Sequence, residues 1–316
     1  MICAVSLNPA VDKYVRLPRL RRGEPVQAEE VITSAGGKAI NVAGVLRELG
    51  EEVELIGFFG GFTGAYLIEQ VAREGVRIDP VEIAGLTRTA FVIVEDDGKE
   101  TEVVEPGGAV APGELQALRE KVRRASHRAA VMVLSGSVPP GCPADVYVRL
   151  LEDCAGRCPV IVDTSRAWLR AVLDARGGPR PSMIKPNRRE AEAVLGYMLE
   201  APAAWERALC GFAAQGVTLP VISDGAAGLC TLAEGKLWRA IPPMLTAVNS
   251  VGSGDAAVAG FARGLARGES VEDMLRLAAA CGAANALTKE CAQVRRRDVE
   301  RLLGEITIST RRVGEG

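Results

Sequence analysis

The sequence predicts an α/β protein: a largely parallel sheet covered by helices, with a small β-layer standing outside it. Three observations lead there. Short apolar runs alternate with amphipathic stretches along most of the 316 residues, the rhythm of βαβ units. Each apolar run exits into polar or glycine residues, as expected where one edge of a sheet forms a functional rim. The rhythm breaks at about 13–34 and 87–105, where polar and apolar residues interleave in a manner too polar for a central parallel strand. No repeat or low-complexity linker divides the chain, so residues 1–316 read as one domain carrying this β-layer.

Taken in order, the first strand, Ile2 to Leu7, runs into Asn8-Pro9-Ala10-Val11-Asp12, where Pro9 breaks the pairing and leaves Asn8 and Asp12 at a strand exit. After the first interleaved segment, Gly36-Gly37-Lys38-Ala39-Ile40-Asn41 turns into an amphipathic helix that ends near Leu49-Gly50. Lys38 and Asn41 lie on its first turns; they either grip a polar or phosphorylated ligand, or Asn41 bonds within the helix. Val53 to Phe58 is a buried strand followed by a helix over Ala65 to Glu74. Phe91 to Val94, a turn at Asp97-Gly98 and Thr101 to Val104 predict a hairpin, which with the earlier segment makes a lid or a dimer surface. From Pro112 the alternation returns. Helices 112–125 and 144–154 precede strands 131–134 and 160–162, which exit into Ser135-Gly136-Ser137 and Asp163-Thr164-Ser165-Arg166. Strand 182–184 exits into Lys185-Pro186-Asn187, and 219–222 into Ser223-Asp224-Gly225, although Pro220 sits awkwardly in a strand. The final segment reads as helical, over 255–266, 271–288 and 295–303.

Composition excludes several classes. A 48% hydrophobic content supports a large core, while 38 basic against 40 acidic residues leave nothing that advertises nucleic acid or an anionic membrane. No apolar run is long enough to span a bilayer, and the N-terminus enters a strand with no basic region or cleavage site, so the expectation is a cytoplasmic protein. The eight cysteines form no C-x-x-C pair; Cys154 and Cys158, one helical turn apart, read as reduced thiols rather than a zinc site. His127 is the sole histidine, in a polar helix end, which argues against a Ser-His-Asp triad.

The densest signal is Val251-Gly252-Ser253-Gly254-Asp255-Ala256-Ala257, a glycine-flanked turn entering an alanine-rich helix. Gly252 and Gly254 allow close approach to a ligand, and the unpaired N–H groups of the first helical turn make an anion seat. A carboxylate repels a phosphate, so Asp255 has either a second task, such as taking a proton from an attacking hydroxyl, or the common one of complementing the helix N-terminus. The spacing Gly252-x-Gly254-x-x-Ala257 also fits a dinucleotide fingerprint, but the strands such a domain needs do not follow it.

Asn8 to Asp12, Gly36 to Asn41, Ser135 to Gly141, Lys185-Pro186-Asn187-x-x-Glu190, Gly225-Ala226-x-Gly228 and Gly252 to Asp255, in this order, together resemble the ribokinase-like carbohydrate kinases. Within them the chain is most similar to the branch of 1-phosphofructokinase, tagatose-6-phosphate kinase and a minor 6-phosphofructokinase. The resemblance implies a three-layer α/β/α sandwich with a small β-sheet lid; because a small exposed sheet is poorly stable alone, two chains are expected to pair through it as a homodimer. It implies that Gly252, Ser253 and Gly254 form the anion hole and Asp255 is the base. Asp12, Gly37, Lys38 and Asn41 would hold the sugar, with Arg88 and Ser137 near its phosphate. Lys185, Asn187, Ser223, Gly225 and Gly228 would line an ATP site, and Asn187 and Glu190 would organise Mg²⁺ through water.

The segments Asp163 to Arg166 and Lys185 to Glu190 resemble 1-phosphofructokinase most, which favours fructose 1-phosphate over tagatose 6-phosphate or fructose 6-phosphate as the acceptor. Arg88, Arg166, Arg188 and Arg189 are more guanidinium groups than a neutral sugar needs. Three positions depart from the family pattern: Ala39 adds a methyl at the sugar turn, Asp224 adds a negative charge near the nucleotide, and Glu24 lies where relatives carry a lysine, with Arg21 or Arg22 as substitutes. A non-catalytic sensor of sugar phosphates on the same fold is the reading from another class.

Overall fold

The computed structural model describes residues 1–289 and 291–314. Its strands are β1 (Ile2–Ser6), β2 (Ala10–Leu17), β3 (Glu30–Gly36), β4 (Val53–Phe59), β5 (Arg77–Glu82), β6 (Arg88–Glu95), β7 (Glu100–Val104), β8 (Val131–Ser135), β9 (Val160–Asp163), β10 (Met183–Ile184), β11 (Leu219–Ser223), β12 (Leu229–Ala233), β13 (Lys236–Ile241) and β14 (Thr307–Arg312). Its helices are α1 (Lys38–Glu48), α2 (Gly61–Arg73), α3 (Pro112–Ser126), α4 (Val146–Cys154), α5 (Arg166–Asp174), α6 (Arg188–Leu195), α7 (Pro202–Ala214), α8 (Ser253–Arg267), α9 (Val271–Ala286) and α10 (Arg296–Leu303).

The continuous apolar runs are strands covered on both faces. Every residue of β1, β4, β8 and β9 is buried, and alternate side chains enter different cores. Ile2 and Ala4 pack with Ala43, Leu67, Phe261 and Leu275 from α1, α2, α8 and α9, whereas Cys3 and Val5 pack with Leu118, Leu150, Leu169 and Phe212 from α3, α4, α5 and α7. This makes three layers, helices on either side of a ten-stranded sheet ordered β14-β13-β12-β11-β10-β9-β8-β1-β4-β5.

β1 pairs in parallel with both β4 and β8, so the chain runs to one side of it and then returns to build the other. At such a reversal the crevice above the C-terminal strand ends is open. The exits of β1, β8, β9, β10 and β11 all face that rim, and they carry Asn8, Gly136, Asp163, Lys185 and Ser223.

The interleaved segments form a second, four-stranded sheet in the order β3-β2-β6-β7. Strand pairing begins at Ala10, directly after Pro9, and residues 18–29 connect β2 to β3 without being strand themselves. The expected hairpin is β6 to β7, with Gly98 in the left-handed region that a tight turn requires. Val31 and Val103 of this sheet are more than half exposed.

The ending is not all helical as expected: β14 follows α10 and pairs antiparallel with β13, its alternating Thr, Ser and Arg residues marking a solvated edge. The β12–β13 hairpin, β5 and helices α5 to α7 were likewise not anticipated. β5 is a polar edge strand containing Pro80, a place where a missing N–H is tolerated. Pro220 is accommodated for a related reason. The N–H of Leu219 points to Ser182 O, so the Pro220 nitrogen faces the other way, where pairing with β12 begins only at Val221.

α8 and α9 are packed closely enough to require glycine. A Cβ on Gly260 would lie 2.7 Å from Ala278 Cα, whereas one on Gly211 of α7 would meet nothing within 4 Å. Gly260→Ala is expected to destabilise by about 1–3 kcal/mol through overpacking. Gly211→Ala should stabilise by about 0.5–1 kcal/mol through helix propensity. Urea unfolding of both variants checks this, and equal effects would contradict it.

Candidate active site

Gly252 caps α8 in the left-handed conformation, φ 85°, and a Cβ there would come 2.4 Å from Ala292 N. Two neighbours hold the turn. Asn249 Oδ1 accepts from Val251 N–H (2.9 Å), and Asn285 of α9 donates through Nδ2 to Val251 O (2.9 Å) and Ser253 Oγ (3.0 Å). The Ser253 N–H is taken by Ser250 O, so the seat falls to the N–H groups of Gly254 and Asp255, which a helix start leaves without intrahelical partners. A Cβ on Gly254 would sit 3.3 Å from Lys185 Nζ, so the seat opens directly onto an ammonium group.

The next residue, Asp255, is buried, and Asn41 Nδ2 donates to its Oδ2 at 2.7 Å. The Asn41 side chain does not bond within its own helix, one of the two roles left open for it; it lines the cleft and reaches Asp255 on α8. Burial pushes the Asp255 carboxyl up to about 6, against the pull of Lys38. Burial likewise raises Asp12 to about 6, with Arg88 pulling the other way and Asp255 adding to the rise.

Beneath both lies Asp163, 1% exposed, which pairs with two lysines: Lys38 Nζ at 3.2 Å from Oδ2 and Lys185 Nζ at 3.6 Å from Oδ1. Burial works against charge on Asp163, but Lys185 and Lys38 outweigh it and hold the carboxyl below the usual range. In return Asp163 pushes Lys38 well above the ordinary lysine range. Lys38 is therefore cationic throughout the physiological range.

The groups held by Asp163, Asn249 and Asn285 open onto one cleft of about 890 Å³, which those three residues do not themselves line. It brings together Asp12, Gly37, Lys38, Asn41, Arg88, Lys185, Asn187, Glu190, Ser223, Gly225, Gly228 and Gly252 to Asp255, the predicted set with one exception. Ser137 does not line it; its Oγ accepts from Asn8 Nδ2 at 3.2 Å, at the β8 exit. Among the expected arginines, Arg88 alone reaches the cleft. Arg188 is tied to Glu192 (3.0 Å) and lies 3.7 Å from Asp224, because it opens α6 on the nucleotide side; Arg166 and Arg189 also fall outside the lining.

The departures resolve as well. Ala39 points into the core and is fully buried, Arg188 faces the Asp224 charge, and Glu24 pairs with Arg21 on the exposed surface away from the cleft. His127 is an exposed C-cap, and all eight cysteines are free. The glycine motif enters α8, which is followed by α9, α10 and then only the antiparallel edge strand β14, so the parallel strand of a dinucleotide unit does not follow it.

Sequence reasoning missed Asn285, Glu102 and Cys291 at the site, and gave Asp163 no role there. Asp163 had a signal, since it opens a polar strand exit. Asn285 lay inside an alanine-rich helix and Glu102 in a solvated strand, and neither context marks a ligand site.

The arrangement places an open helix N-terminus beside a buried carboxylate whose pKa is raised, a pairing suited to phosphoryl transfer to a hydroxyl group. Residues 3–296 match the pfkB family of carbohydrate kinases, and the chain belongs to that family. Phosphofructokinase-2 from Escherichia coli, solved in complex with potassium, aligns at TM-score 0.90 with 26% identity over 96% of this chain and 98% of its own. The same enzyme in complex with fructose-6-phosphate gives 0.88 and 26% over the same shares. A Thermotoga maritima protein described as a possible 1-phosphofructokinase gives 0.89 with 22% identity, over 99% and 100%, a likeness of fold. No helix among the described residues is long and apolar enough to cross a membrane.

A carboxyl whose pKa is raised in the folded state costs stability as pH rises from its unfolded value near 4 to about 6 and above. Asp255→Asn should therefore melt at or above the wild-type temperature at pH 7.5, with the difference shrinking towards pH 4. The same variant should lose about 10²- to 10⁴-fold in kcat. Thermal melts and steady-state rates check both, and a rate loss below about tenfold would remove Asp255 from the base role.

Proposed function

We propose that this sugar kinase transfers the γ-phosphoryl group of ATP to a hydroxyl of a ketohexose monophosphate, fructose 1-phosphate foremost, giving fructose 1,6-bisphosphate. The observation that carries the reading is Asp255: a buried carboxylate fixed by Asn41 at the lip of an anion seat, where binding alone would disfavour it. A sensor has no use for a base in that position. Asp12 and Asn41 hold the sugar hydroxyls and Arg88 its phosphate. Asp255 takes the proton of the reacting hydroxyl as its oxygen attacks the γ-phosphorus, and the bond to the β–γ bridging oxygen breaks. The N–H groups of Gly254 and Asp255 and the ammonium of Lys185 stabilise the charge that develops on the transferring group. Ser223, Gly225 and Gly228 border the remaining phosphates.

Mg²⁺ neutralises phosphate charge in such transfers. No cluster among the described residues could cage a metal alone, and Asn187 and Glu190 cap α6 reciprocally, each side chain accepting the other's N–H at 2.9 Å. Such a rim suits an ion that arrives with the nucleotide and keeps most of its waters. Free cysteines agree with work in the cytoplasm.

Fructose 1-phosphate rests on the resemblance in residues 163–166 and 185–190; fructose 6-phosphate is favoured instead by the E. coli neighbour. Rates on fructose and on fructose 1-, fructose 6- and tagatose 6-phosphate decide between them. We expect free fructose to be the poorest acceptor, because Arg88, whose Nε is buried without a partner, would keep that loss uncompensated. Free fructose as the best acceptor would discard the phosphate reading, and a 6-phosphate only the choice of isomer.

The exposed valines of the small sheet, Val31 and Val103, support pairing of two chains through that sheet. Light scattering at micromolar concentration should give a dimer. A fully active monomer would refute it.

A further inference from the structure

We propose that Asn285 is a positioning residue for phosphoryl transfer: it turns the Ser253 hydroxyl so that its proton points into the anion seat, adding a side-chain donor to the main-chain N–H groups there. This rests on the kinase reading above and concerns how the seat holds the transferring group. The amide comes from the neighbouring helix. Asn285 is fully buried on α9 and lies outside the lining of the cleft, whereas Ser253, the first residue of α8, lines it.

Hydrogen-bond accounting fixes the direction of each proton. Asn285 Nδ2 lies 2.9 Å from Val251 O and 3.0 Å from Ser253 Oγ. A carbonyl oxygen only accepts, so the nitrogen end of the amide must face Val251; the opposite orientation would set two oxygens against each other. An amide nitrogen carries two protons, and these two acceptors use both. Ser253 Oγ therefore gives a lone pair to Asn285 and keeps its own proton. Among the described residues Ser253 Oγ donates to none, and the carbonyl of Ser250 is already taken by the Ser253 N–H. The usual outlet of a helical serine is a carbonyl in the preceding turn of the same helix, and α8 has no such turn before Ser253. What remains open is the cleft, directly beside the N–H groups of Gly254 and Asp255.

Stability alone does not account for Asn285. Its Oδ1 is buried without a partner, which costs the fold, and the residues around it on the helix are Ala283, Ala284 and Ala286. An unanchored hydroxyl would rotate towards water, whereas one held in advance needs no reorganisation as charge develops on the transferring group. Asn285 thus touches no reacting atom and acts through Ser253.

The test is a double-mutant cycle on kcat and on KM for ATP and the best acceptor. It compares wild type, Ser253→Ala, Asn285→Ala and the double variant, each assayed well below its melting temperature. Removing one preorganised donor costs about 10²- to 10³-fold in kcat; we expect Ser253→Ala at or below the lower end, about 10- to 10²-fold, because two N–H groups and Lys185 remain. Both KM values should stay within about threefold, since the donor serves the transition state. The double variant should lose no more kcat than Asn285→Ala alone, as expected of residues that act through one group. Asn285→Ser, too short to reach Ser253 and leaving a smaller cavity, takes its place in the cycle if Asn285→Ala does not fold. A Ser253→Ala enzyme within about threefold of wild type in kcat would overturn the inference and leave the kinase reading intact. Losses that multiply in the double variant would overturn it too, reducing Asn285 to a structural amide. A wild-type protein that phosphorylates none of the four sugars would sink the kinase reading, and this inference with it.

Discussion

The site depends first on how closely α8 and α9 approach. Gly260 against Ala278 and Gly282 against the Ser253 carbonyl leave no room for larger side chains, and that proximity lets Asn285 reach across to fix the glycine turn. A helix N-terminus is an anion site only if its first N–H groups are held in one place. Here the holding is done by packing and by one buried amide, so the turn itself can consist of small residues that a ligand can approach.

The second constraint is electrostatic. Asp163 is a charge with almost no solvent, kept ionised by two lysines that reach it from different elements, Lys38 from the start of α1 and Lys185 from the exit of β10. Each partner makes the other tolerable. Because Asp163 absorbs part of their field, the lysines do not force Asp255 to the low pKa that two unshielded ammonium groups would impose. Burial can then prevail at Asp255 and leave a carboxyl that exchanges a proton near neutral pH, as the proposed base must.

Much of this was legible in the sequence, and what was not has identifiable causes. The buried parallel strands announced themselves as unbroken apolar runs, and the glycine turns by residues few other positions need. The polar edge strands β5 and β14 carry no such pattern, because their stability comes from one neighbour and from solvent. The arginines show a different limit. Arg88 and Arg188 look alike in a sequence, yet one is set by strand register beside Ala10, and the other opens a helix where Glu192, one turn on, captures it. Ala39 was read as an intrusion on the sugar because the turn was visible and the direction of its methyl was not.

The bonds in and around the cleft join residues remote in the chain: Asn8 with Ser137, outside its lining, across 129 positions, Lys38 with Asp163 across 125, and Asn41 with Asp255 across 214. No contiguous half of the polypeptide contains both members of the last pair's surroundings. Closing such long loops is entropically expensive and is repaid only when the central strands have paired. The catalytic rim is thus a property of the completed fold, and any small molecule that bridges it draws on the cooperativity of the whole. Occupancy of the cleft should therefore resist global unfolding.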